Sequence, residues 1–495
     1  MAEAVGRFGA GWIERLPPEL WQIILSFAPS ATMRECLAVS KLLHDIAAPM
    51  VFSALRIQFG AWQAERDIPW VEEDCGCRSC CVLLHIMTNS MFASYVKHLD
   101  VLAFVDKNLK ATFELCCLTK ALGAMHNLRT FRWHTSSRTS SIPDNELLKT
   151  LASTCNRLCE YSLPIQCLSE IHSLKQLRAT SVSLQFVQRN RGGSEAALID
   201  STLAPLFDAY RGFLTQLSVP SQAIFVCPVF ILQHLTHLTI DCTDDENLGS
   251  ILIVFGCCDR LESLHIQSFA QRPDDLYAAM GANPSALPFL THLKLYVYRP
   301  LGEIRYDALA GFIRSKKKLR CLDFSGAAAH LTNLAPVLSA IESLPGLEVL
   351  GLDIEFGYSG RAAFVHFTRT IPKTVTALRL GPGWYGVEDP LDPGRPWIEL
   401  WASLPRLAFA YIGDDEDGPI VVSVDELTDA VPSLRMIGRW GRFREVERVD
   451  GEVKMSEPWS HTKVEFRTVQ DFGCEDWEWL MRGYPLLNDY CGYVE

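Results

Sequence analysis

The sequence lacks any excess of basic residues. It has 46 Lys and Arg residues against 58 Asp and Glu residues, which gives a formal net charge of −12. Nucleic-acid-binding domains usually carry a basic patch or stripe. The densest basic run here is Lys316, Lys317 and Lys318, and such a run is typical of a solvated helix end. We therefore expect no nucleic-acid partner.

Long apolar runs are also missing. The most apolar stretches, residues 223–232 and 251–258, are far shorter than the roughly 18 residues of a membrane-spanning helix. Arg7, Glu14 and Arg15 interrupt the stretch in which a signal peptide would need an apolar run. The 17 cysteines, an odd number, are scattered through apolar segments, which is typical of reduced, buried thiols. We expect no membrane partner and a location in the cytoplasm, the nucleus or both.

Familiar catalytic motifs are missing as well. The chain has no Gly-Lys pair of a phosphate-binding loop, no His-Glu-x-x-His and no Gly-x-Ser-x-Gly. Asp471-Phe472-Gly473 matches one kinase triplet, but the accompanying glycine-rich loop and His-Arg-Asp segment are missing. The sequence therefore predicts a protein that is not an enzyme and that needs no cofactor.

The sharpest local feature is a cysteine cluster, Cys75-Gly76-Cys77-Arg78-Ser79-Cys80-Cys81. Thiolates can hold zinc tetrahedrally, so Cys75, Cys77, Cys80 and Cys81 are candidate ligands. Structural zinc sites usually take two close pairs separated by about a dozen or more residues, and this cluster is tighter than that. The spacing favours the alternative, a loop of reduced, partly buried cysteines.

Apolar material is plentiful, and much of it follows a repeated pattern. Hydrophobic residues make up 48% of the chain and charged residues 21%, which is enough for a large core. A Leu-x-x-Leu-x-apolar pattern has its clearest copies at residues 235–240, 261–266, 290–295, 319–324 and 347–352. The copies between Leu214 and Leu434 follow one another at about 28 residues, within the range of a strand-and-helix repeat.

Helical stretches are expected between these strands, for example over residues 334–344, 361–370 and 397–404. One strand and one helix cannot bury their apolar faces alone, so the units should stack into a parallel sheet with helices outside. The predicted fold is therefore an α/β solenoid shaped like a horseshoe. A TIM barrel is the alternative, but more than eight copies are present and barrel strands are more uniformly apolar.

Residues 95–440 resemble leucine-rich repeats of the longer, helix-containing kind. The copies are degenerate, since the family's Asn or Cys after the last strand leucine is replaced, and residues 180–213 lack a clear copy. Side chains alternate along a strand, so the positions between the leucines should face the open side. The resemblance implies that this face binds a partner protein. The candidate partner-binding residues are Thr239, Asp241, His265, Gln267, Lys294, Tyr296, Asp323, Asp353 and Arg379.

Near the N-terminus, residues 16–27 predict a helix. Prolines stand where it would begin, and Glu19 in its first turn suits the helix dipole. Apolar residues recur at i, i+3, i+4 and i+7, which makes one apolar face, at Leu20, Ile23, Ile24 and Phe27. Further helices are expected over residues 33–39 and 41–49. So small a core usually needs a partner or a neighbouring domain.

Residues 12–55 resemble the F-box motif. The similarity rests on Leu-Pro-x-Glu-Leu at 16–20, Leu-Ala-Val-Ser-Lys at 37–41 and Ala-Pro-Met-Val-Phe at 48–52. The family's tryptophan after the lysine is missing, and Leu43 and His44 stand there. The resemblance implies binding of the Skp-family adaptor of a cullin-RING ligase by Leu16, Pro17, Ile24, Leu37, Val39 and Lys41. The alternative is a helical cap on the first repeat.

The domain organisation has four parts. An F-box at 12–55 precedes a linker at 56–94 that holds a first helix and the cysteine-rich loop. The repeats follow at 95–440, and a C-terminal cap at 441–495. Asp450-Gly451 between two apolar-polar runs predicts a β-hairpin in this cap, and a third strand is expected over 463–469. The aromatic residues Trp477, Trp479 and Tyr484 predict a cover over the last repeat, with a peptide-binding patch as the alternative.

This domain order resembles that of F-box proteins with degenerate leucine-rich repeats, of the fungal type. The resemblance implies a substrate-recognition subunit of an SCF-type (cullin-RING) E3 ubiquitin ligase. Such a chain binds the adaptor through the F-box and a target protein through the repeats, and its partners carry out the ubiquitin transfer. The alternative is a non-catalytic repeat scaffold that has no link to ubiquitination.

Overall fold

The chain forms two compact units, Met1–Arg191 and Gly192–Glu495, called here the N-terminal and the C-terminal unit. The computed structural model describes residues 16–28, 30–59, 74–103, 112–134, 142–185, 195–242, 248–268, 274–297, 306–330, 333–355, 366–381, 395–413, 423–439 and 441–484. Across these ranges, no helix combines the length and the apolar character that a membrane crossing requires.

The N-terminal unit begins with three helices: α1 (Pro18–Ser26), α2 (Ser30–Val39) and α3 (Lys41–Val51). A proline near its N-terminus starts α1. The Ser40 hydroxyl caps α3 by accepting the N–H of Leu43 at 3.2 Å. These bounds agree with the three helices expected from the sequence.

Strands and helices then alternate along the described part of the N-terminal unit. They are β1 (Ala54–Phe59), α4 (Asp74–Thr88), α5 (Ser90–Tyr95), β2 (His98–Ala103), α6 (Thr112–Leu122), β3 (Thr130–His134), α7 (Asn145–Thr154), β4 (Glu160–Pro164) and β5 (Ser181–Gln185). The 3₁₀ helices Ile165–Ser169 and Ile171–Gln176 join β4 to β5. The strands pair in parallel in chain order.

Two features of this unit differ from the expectation. β1 pairs with β2, so the sheet starts before residue 95. Residues 74–88 form a helix, whereas a loop was expected at the cysteine cluster. The apolar residues that follow the cluster explain the helix, because Leu83 and Ile86 are fully buried on one face of α4.

The C-terminal unit repeats the strand-and-helix pattern. Its described elements are α8 (Glu195–Ala209), β6 (Gln216–Pro220), α9 (Ser221–Val226), α10 (Val229–Leu232), β7 (His237–Cys242), α11 (Leu248–Cys257), β8 (Ser263–Ser268), α12 (Asp274–Ala282), β9 (His292–Val297), α13 (Asp307–Ser315), β10 (Cys321–His330), α14 (Ala335–Glu342), β11 (Val349–Glu355), β12 (Ala377–Leu380), α15 (Arg395–Ala402), β13 (Phe409–Ile412), α16 (Val424–Ala430) and β14 (Met436–Arg439). Residues 366–370 are helical too.

Strands β6 to β14 pair in parallel in chain order. The repeat leucines form the core between the sheet and the helices. In the copy at 235–240, for example, Leu235, Leu238 and Ile240 are at most 2% exposed. Neighbouring helices such as α12, α13 and α14 pack side by side. The predicted α/β arrangement, a parallel sheet built from stacked units, is thus confirmed.

The chain direction reverses after β14. β15 (Arg442–Val449) pairs antiparallel with β14, and β16 (Glu452–Met455) pairs antiparallel with β15. Asp450 and Gly451 both have positive φ angles, 55° and 86°, as the tight turn of a two-residue hairpin requires. The predicted hairpin is therefore confirmed.

Three short helices end the described chain: α17 (His461–Phe466), α18 (Val469–Phe472) and α19 (Glu475–Met481). A third strand was expected over 463–469, and this was wrong. The Ser460 hydroxyl accepts the N–H of Lys463 and so starts a helix there instead. That helix ends at Arg467, whose φ of 42° is left-handed.

Candidate functional site

The strand register places the outward side chains of the C-terminal unit in three rows. The first row is Gln216, His237, Ser263, His292, Cys321, Val349, Ala377, Phe409 and Met436; the middle row is Ser218, Thr239, His265, Lys294, Asp323, Gly351, Arg379, Tyr411 and Gly438; the third row is Pro220, Asp241, Gln267, Tyr296, Ser325 and Asp353. All nine candidate partner-binding residues lie in the middle and third rows, on one face of the sheet.

The chain's own C-terminal end lies on much of this face. Residues 459–484, called here the C-terminal segment, pack against the outward side of β9 to β14. Trp477 stacks on Phe409, with ring centres 5.3 Å apart, and Leu480 is fully buried. The core formed there also includes Trp459, Val464, Phe472, Trp479, Met481 and Tyr484 from the segment, and Cys321, Val349, Ala377 and Met436 from the first row.

An ion-pair cluster lies under this cover. Asp323 accepts from Lys294 Nζ at 2.9 Å and from Arg379 at 2.7 Å, and Arg379 also pairs with Asp353. The side chains of Lys294, Asp323 and Arg379 are only 4%, 3% and 0% exposed. Two cations and two carboxylates give a cluster without net charge, which buried ionic groups require.

Lys294 also holds the end of α19. Its Nζ donates to the carbonyl oxygens of Trp479, Leu480 and Arg482 at 2.7, 2.9 and 3.0 Å. The last carbonyls of a helix have no partner within the helix and carry the negative end of its dipole. A buried ammonium group therefore satisfies these acceptors, and the backbone of the C-terminal segment is fixed to strand β9.

Burial and neighbouring charges act in opposite directions on these groups. Burial alone would raise the pKa of Asp323, but the charges of Arg379 and Lys294 outweigh it and lower that pKa. Burial lowers the pKa of Lys294, and the charge of Asp323 opposes this change. The pKa of Arg379 is raised because the two carboxylates outweigh its burial. The cluster is stable only as a paired unit.

Arginine side chains add further polar contacts to the cover. Arg320 donates to both carboxylate oxygens of Asp476, at 2.6 and 2.8 Å. The guanidinium carbon of Arg379 lies 4.2 Å from the ring centre of Tyr484, a cation–π distance. The C-terminal segment is thus held by a helix end, a carboxylate and an aromatic ring.

These contacts correct the sequence expectation for five residues. Lys294, Tyr296, Asp323, Asp353 and Arg379 were predicted to face a partner protein, but they are buried or nearly so. The physical reason is that the C-terminal segment occupies their side of the sheet. The aromatic C-terminal segment was expected to cover the end of the last repeat. It lies instead on the face of the sheet, against β9 to β14.

The other four candidates lie on strands β7 and β8 and are partly exposed: Thr239, Asp241, His265 and Gln267. The C-terminal segment borders them, because a Cβ atom at Gly483 would lie 3.6 Å from the His265 ring. Burial and the charge of Lys294 lower the pKa of His265 to about 3, so this imidazole is neutral near pH 7. The structure keeps these four residues together as a smaller polar surface.

The N-terminal unit has an outward face of its own. Its middle row contains Arg56, Asp100, Arg132, Ser162 and Ser183 on successive strands. The Arg132 guanidinium bonds Glu160 Oε1 at 2.6 and 3.0 Å. His134 and Asp100 are 3.1 Å apart. The sequence reasoning missed this face, although a charged residue between two buried aromatics, as in Phe131-Arg132-Trp133, signals an outward position.

Neighbouring charges shift the pKa values of the acidic and histidine side chains on this face. Burial alone would raise the pKa of Asp100, but a hydrogen bond from His134 and the charges of His134, Arg132 and Arg56 lower it. Burial is the main reason for the lowered pKa of His98, and the charge of Arg132 adds to it. The charged side chains of this face therefore pair with one another, Arg132 with Glu160 and His134 with Asp100.

The three N-terminal helices expose an apolar surface. Their small core consists of Leu25, Leu43 and Ala47, against which Trp21 and Leu37 pack. The apolar face predicted for α1 points away from this core. Its residues, with Val39 of α2, are strongly exposed: Leu20 45%, Ile23 55%, Ile24 47%, Phe27 86% and Val39 60%.

The candidate adaptor-binding residues lie within this helical module. Leu16, Pro17, Ile24, Val39 and Lys41 are exposed. Leu37 is half-buried and packs against the core of the three helices, so it supports the fold as well as the surface.

The candidate zinc ligands share one helix. Cys80 is half-exposed and Cys81 is exposed, and adjacent helical residues point about 100° apart. Ser79 lies between Cys77 and Cys80 in the sequence, and its hydroxyl accepts the N–H of Gln58 at 3.1 Å. The side chains of Cys75 and Cys77 lie outside the described residues.

One other group of metal-ligand types occurs within the described ranges, at His292, Cys321 and Asp476. Arg320 already occupies both oxygens of Asp476. Burial and the carboxylate of Asp476 raise the pKa of the Cys321 thiol. A neutral thiol beside a guanidinium group is a poor setting for a cation.

Comparisons with known proteins give a likeness to solved structures. No family model matches the chain, and no curated protein matches it by sequence. It is similar to the crystal structure of the leucine-rich repeat-containing protein LegL7 from Legionella pneumophila, with 14% sequence identity and a TM-score of 0.32. The match covers 69% of this chain and 90% of that one.

Proposed function

We propose that this chain is a substrate-recognition subunit of an SCF-type ubiquitin ligase. It would bind a Skp-family adaptor through helices α1 to α3 and a target protein through its open sheet faces. The ligase partners would carry out the transfer, so this chain contributes proximity and orientation.

The observation that carries the proposal is the exposed apolar face of α1 and α2. Phe27 is 86% exposed and Ile23, Ile24 and Val39 are about half exposed. Contiguous apolar patches on soluble proteins mark interaction sites. Burying one such side chain fully contributes about 1.5–3 kcal/mol, so several together can support a specific complex. The face coincides with the part of the chain that resembles the F-box.

One observation favours the scaffold function instead. Where the F-box family has its tryptophan, Leu43 is buried in the small helical core. The His44 ring lies 2.9 Å from the carbonyl oxygen of Leu37. Neither residue is the tryptophan of the family, and the helices would then serve only as a cap.

Adaptor binding tests the proposal. The intact chain, a variant without residues 12–55 and the Ile24→Asp variant are titrated with purified Skp-family adaptor by calorimetry. Leu84→Asp is the matched control, because Leu84 of α4 is also 47% exposed. We expect Ile24→Asp and the deletion to weaken binding by about 100-fold or more, as hot-spot changes do, and Leu84→Asp to leave it unchanged. An intact, folded chain that does not bind the adaptor would support the scaffold function.

A further inference from the structure

Each unit carries an acid between two cations in its middle row. In the C-terminal unit, Lys294, Asp323 and Arg379 form a cation, acid and cation series on β9, β10 and β12. In the N-terminal unit, Arg56, Asp100 and Arg132 follow the same order of charges on three successive strands, β1, β2 and β3. In the C-terminal unit, Gly351 on β11 separates Asp323 from Arg379.

The C-terminal unit shows what such a series binds. Lys294 donates to the carbonyl oxygens at the end of α19. Arg379 lies against the ring of Tyr484. A carboxylate of the same segment, Asp476, pairs with Arg320 beside the series. The bound group is therefore a helix end that carries an aromatic residue and an acid.

Exposure separates the two series. In the covered one, the Lys294 and Arg379 side chains are 4% and 0% exposed. In the N-terminal unit, the Arg132 and Glu160 side chains are 41% and 30% exposed, and His134 is 26% exposed. The Asp100 side chain is only 8% exposed, so the N-terminal unit offers its Arg132 guanidinium to solvent while its acid is buried.

A partner protein would have to displace the C-terminal segment before it could contact the covered series. Eight large apolar side chains of the C-terminal segment are buried in its contact. Burial of apolar surface is the main favourable term in most protein association. A partner would have to replace this contact before it gained any contact of its own with the covered series.

We propose that the face of the N-terminal unit around Asp100 and Arg132 is a docking surface for a protein helix end that carries a carboxylate and an aromatic side chain. The partner's carboxylate competes with Glu160 for the Arg132 guanidinium, and its ring lies on the same planar group. Arg56 receives the helix-end carbonyl oxygens, as Lys294 does in the other unit. This inference specifies the target-binding part of the proposed function and rests on it.

The probe is a fluorescein-labelled peptide with the sequence of residues 473–484, which carries the acid, the aromatics and the helix end. Its binding to the intact chain is followed by fluorescence anisotropy in low salt. We expect saturable binding that Arg132→Glu weakens at least about tenfold, since a like charge then faces the acid. Glu160→Gln removes the competing carboxylate and should strengthen binding about threefold.

Arg157→Glu is the control, because Arg157 is exposed on a turn of the same unit and makes the same charge change. A peptide that does not bind, or that binds all variants equally, overturns the proposal. The opposite effect expected for Glu160→Gln keeps the test decisive if Arg132→Glu fails to fold. Adaptor binding through Ile24 is measured separately, so a failure here is distinct from a failure of the ligase function.

Discussion

Lys294 and Trp479 are 185 positions apart in the chain, yet the Lys294 ammonium group donates to the Trp479 carbonyl oxygen at 2.7 Å. This contact joins the middle of the sheet to the last helix of the described chain. It lies at the centre of a cluster in which every charge has a partner, so the behaviour of the C-terminal segment should depend on it.

Replacing Lys294 by methionine should destabilise the chain strongly. The change leaves Asp323 with one cation and removes the donor from three helix-end carbonyl groups, and breaking a buried ion pair costs roughly 3–5 kcal/mol. Urea unfolding followed by tryptophan fluorescence measures the loss in unfolding free energy. Lys317→Met at an exposed position should change it by less than about 0.5 kcal/mol. Equal midpoints for both variants would contradict the assignment.

Gly351 marks the closest approach between the sheet and its cover. A Cβ atom there would overlap with the Asp323 carboxylate and lie 2.9 Å from Leu480 Cδ1. Gly351→Ala should therefore lower the melting temperature by several degrees, since overpacking costs about 1–3 kcal/mol. Gly311→Ala in α13 meets nothing within 4 Å and should raise stability by up to about 1 kcal/mol. Calorimetry of the two variants should show a lower melting temperature for Gly351→Ala and a higher one for Gly311→Ala.

Acid should loosen the C-terminal segment. Hydrogen bonds from His292 and Arg320 lower the pKa of Asp476 from its ordinary value of 3.8 to about 2. A lowered pKa means that the stabilisation is present above pH 3.8 and is lost as the pH falls toward 2. Asp476→Asn should remove this part of the pH dependence. The test compares the unfolding free energies of the unchanged chain and of Asp476→Asn at pH 5, 4, 3 and 2. If the two proteins lose stability in parallel as the pH falls, Asp476 does not cause the loss.

Thiol reactivity should follow burial. Burial raises the pKa values of Cys155, Cys227 and Cys258 to about 12, whereas Cys81 and Cys116 are exposed. Iodoacetamide at pH 8 should therefore modify the exposed pair first, because the thiolate is the reactive form. Mass spectrometry of timed samples gives the order. Added zinc should not slow the reaction of Cys81, and strong protection by zinc would show that the cysteine cluster binds the metal.

The strand-and-helix fold was predictable because it depends on local spacing. The leucines of each copy, such as Leu238 and Ile240, alternate with polar residues on one strand, and this period of two identifies the buried face. The helices between strands follow from apolar residues at helical spacing. Each of these signals lies within one repeat of about 28 residues.

The cover on the sheet was not predicted, because its contacts join residues far apart in the chain. One local signal was available, however. On β11 to β14 the first-row residues are Val349, Ala377, Phe409 and Met436, next to the buried leucines. An apolar run without alternation indicates a strand buried on both faces. The first row on β6 to β8 is polar instead, at Gln216, His237 and Ser263.

The candidate site was thus predicted as a face but not as an accessible surface. Thr239 and Lys294 both alternate with leucines in the same way, and nothing in the strand pattern separates them. Lys294 lies beneath residues 459–484, and its Nζ donates to three of their carbonyl oxygens, whereas Thr239 on β7 stays partly exposed. The helical surface was predicted more fully, because Ile24 and Phe27 lie on one helix.

The antiparallel return of β15 along β14 also fixes the length of the array. Each added strand would move the hairpin about 4.8 Å farther from β9, and α19 would no longer reach Lys294. A gain or loss of one unit between β9 and β14 would therefore break the charge cluster and expose the aromatic core together. We therefore expect this fold to accept a change in repeat number only among strands that the C-terminal segment does not touch.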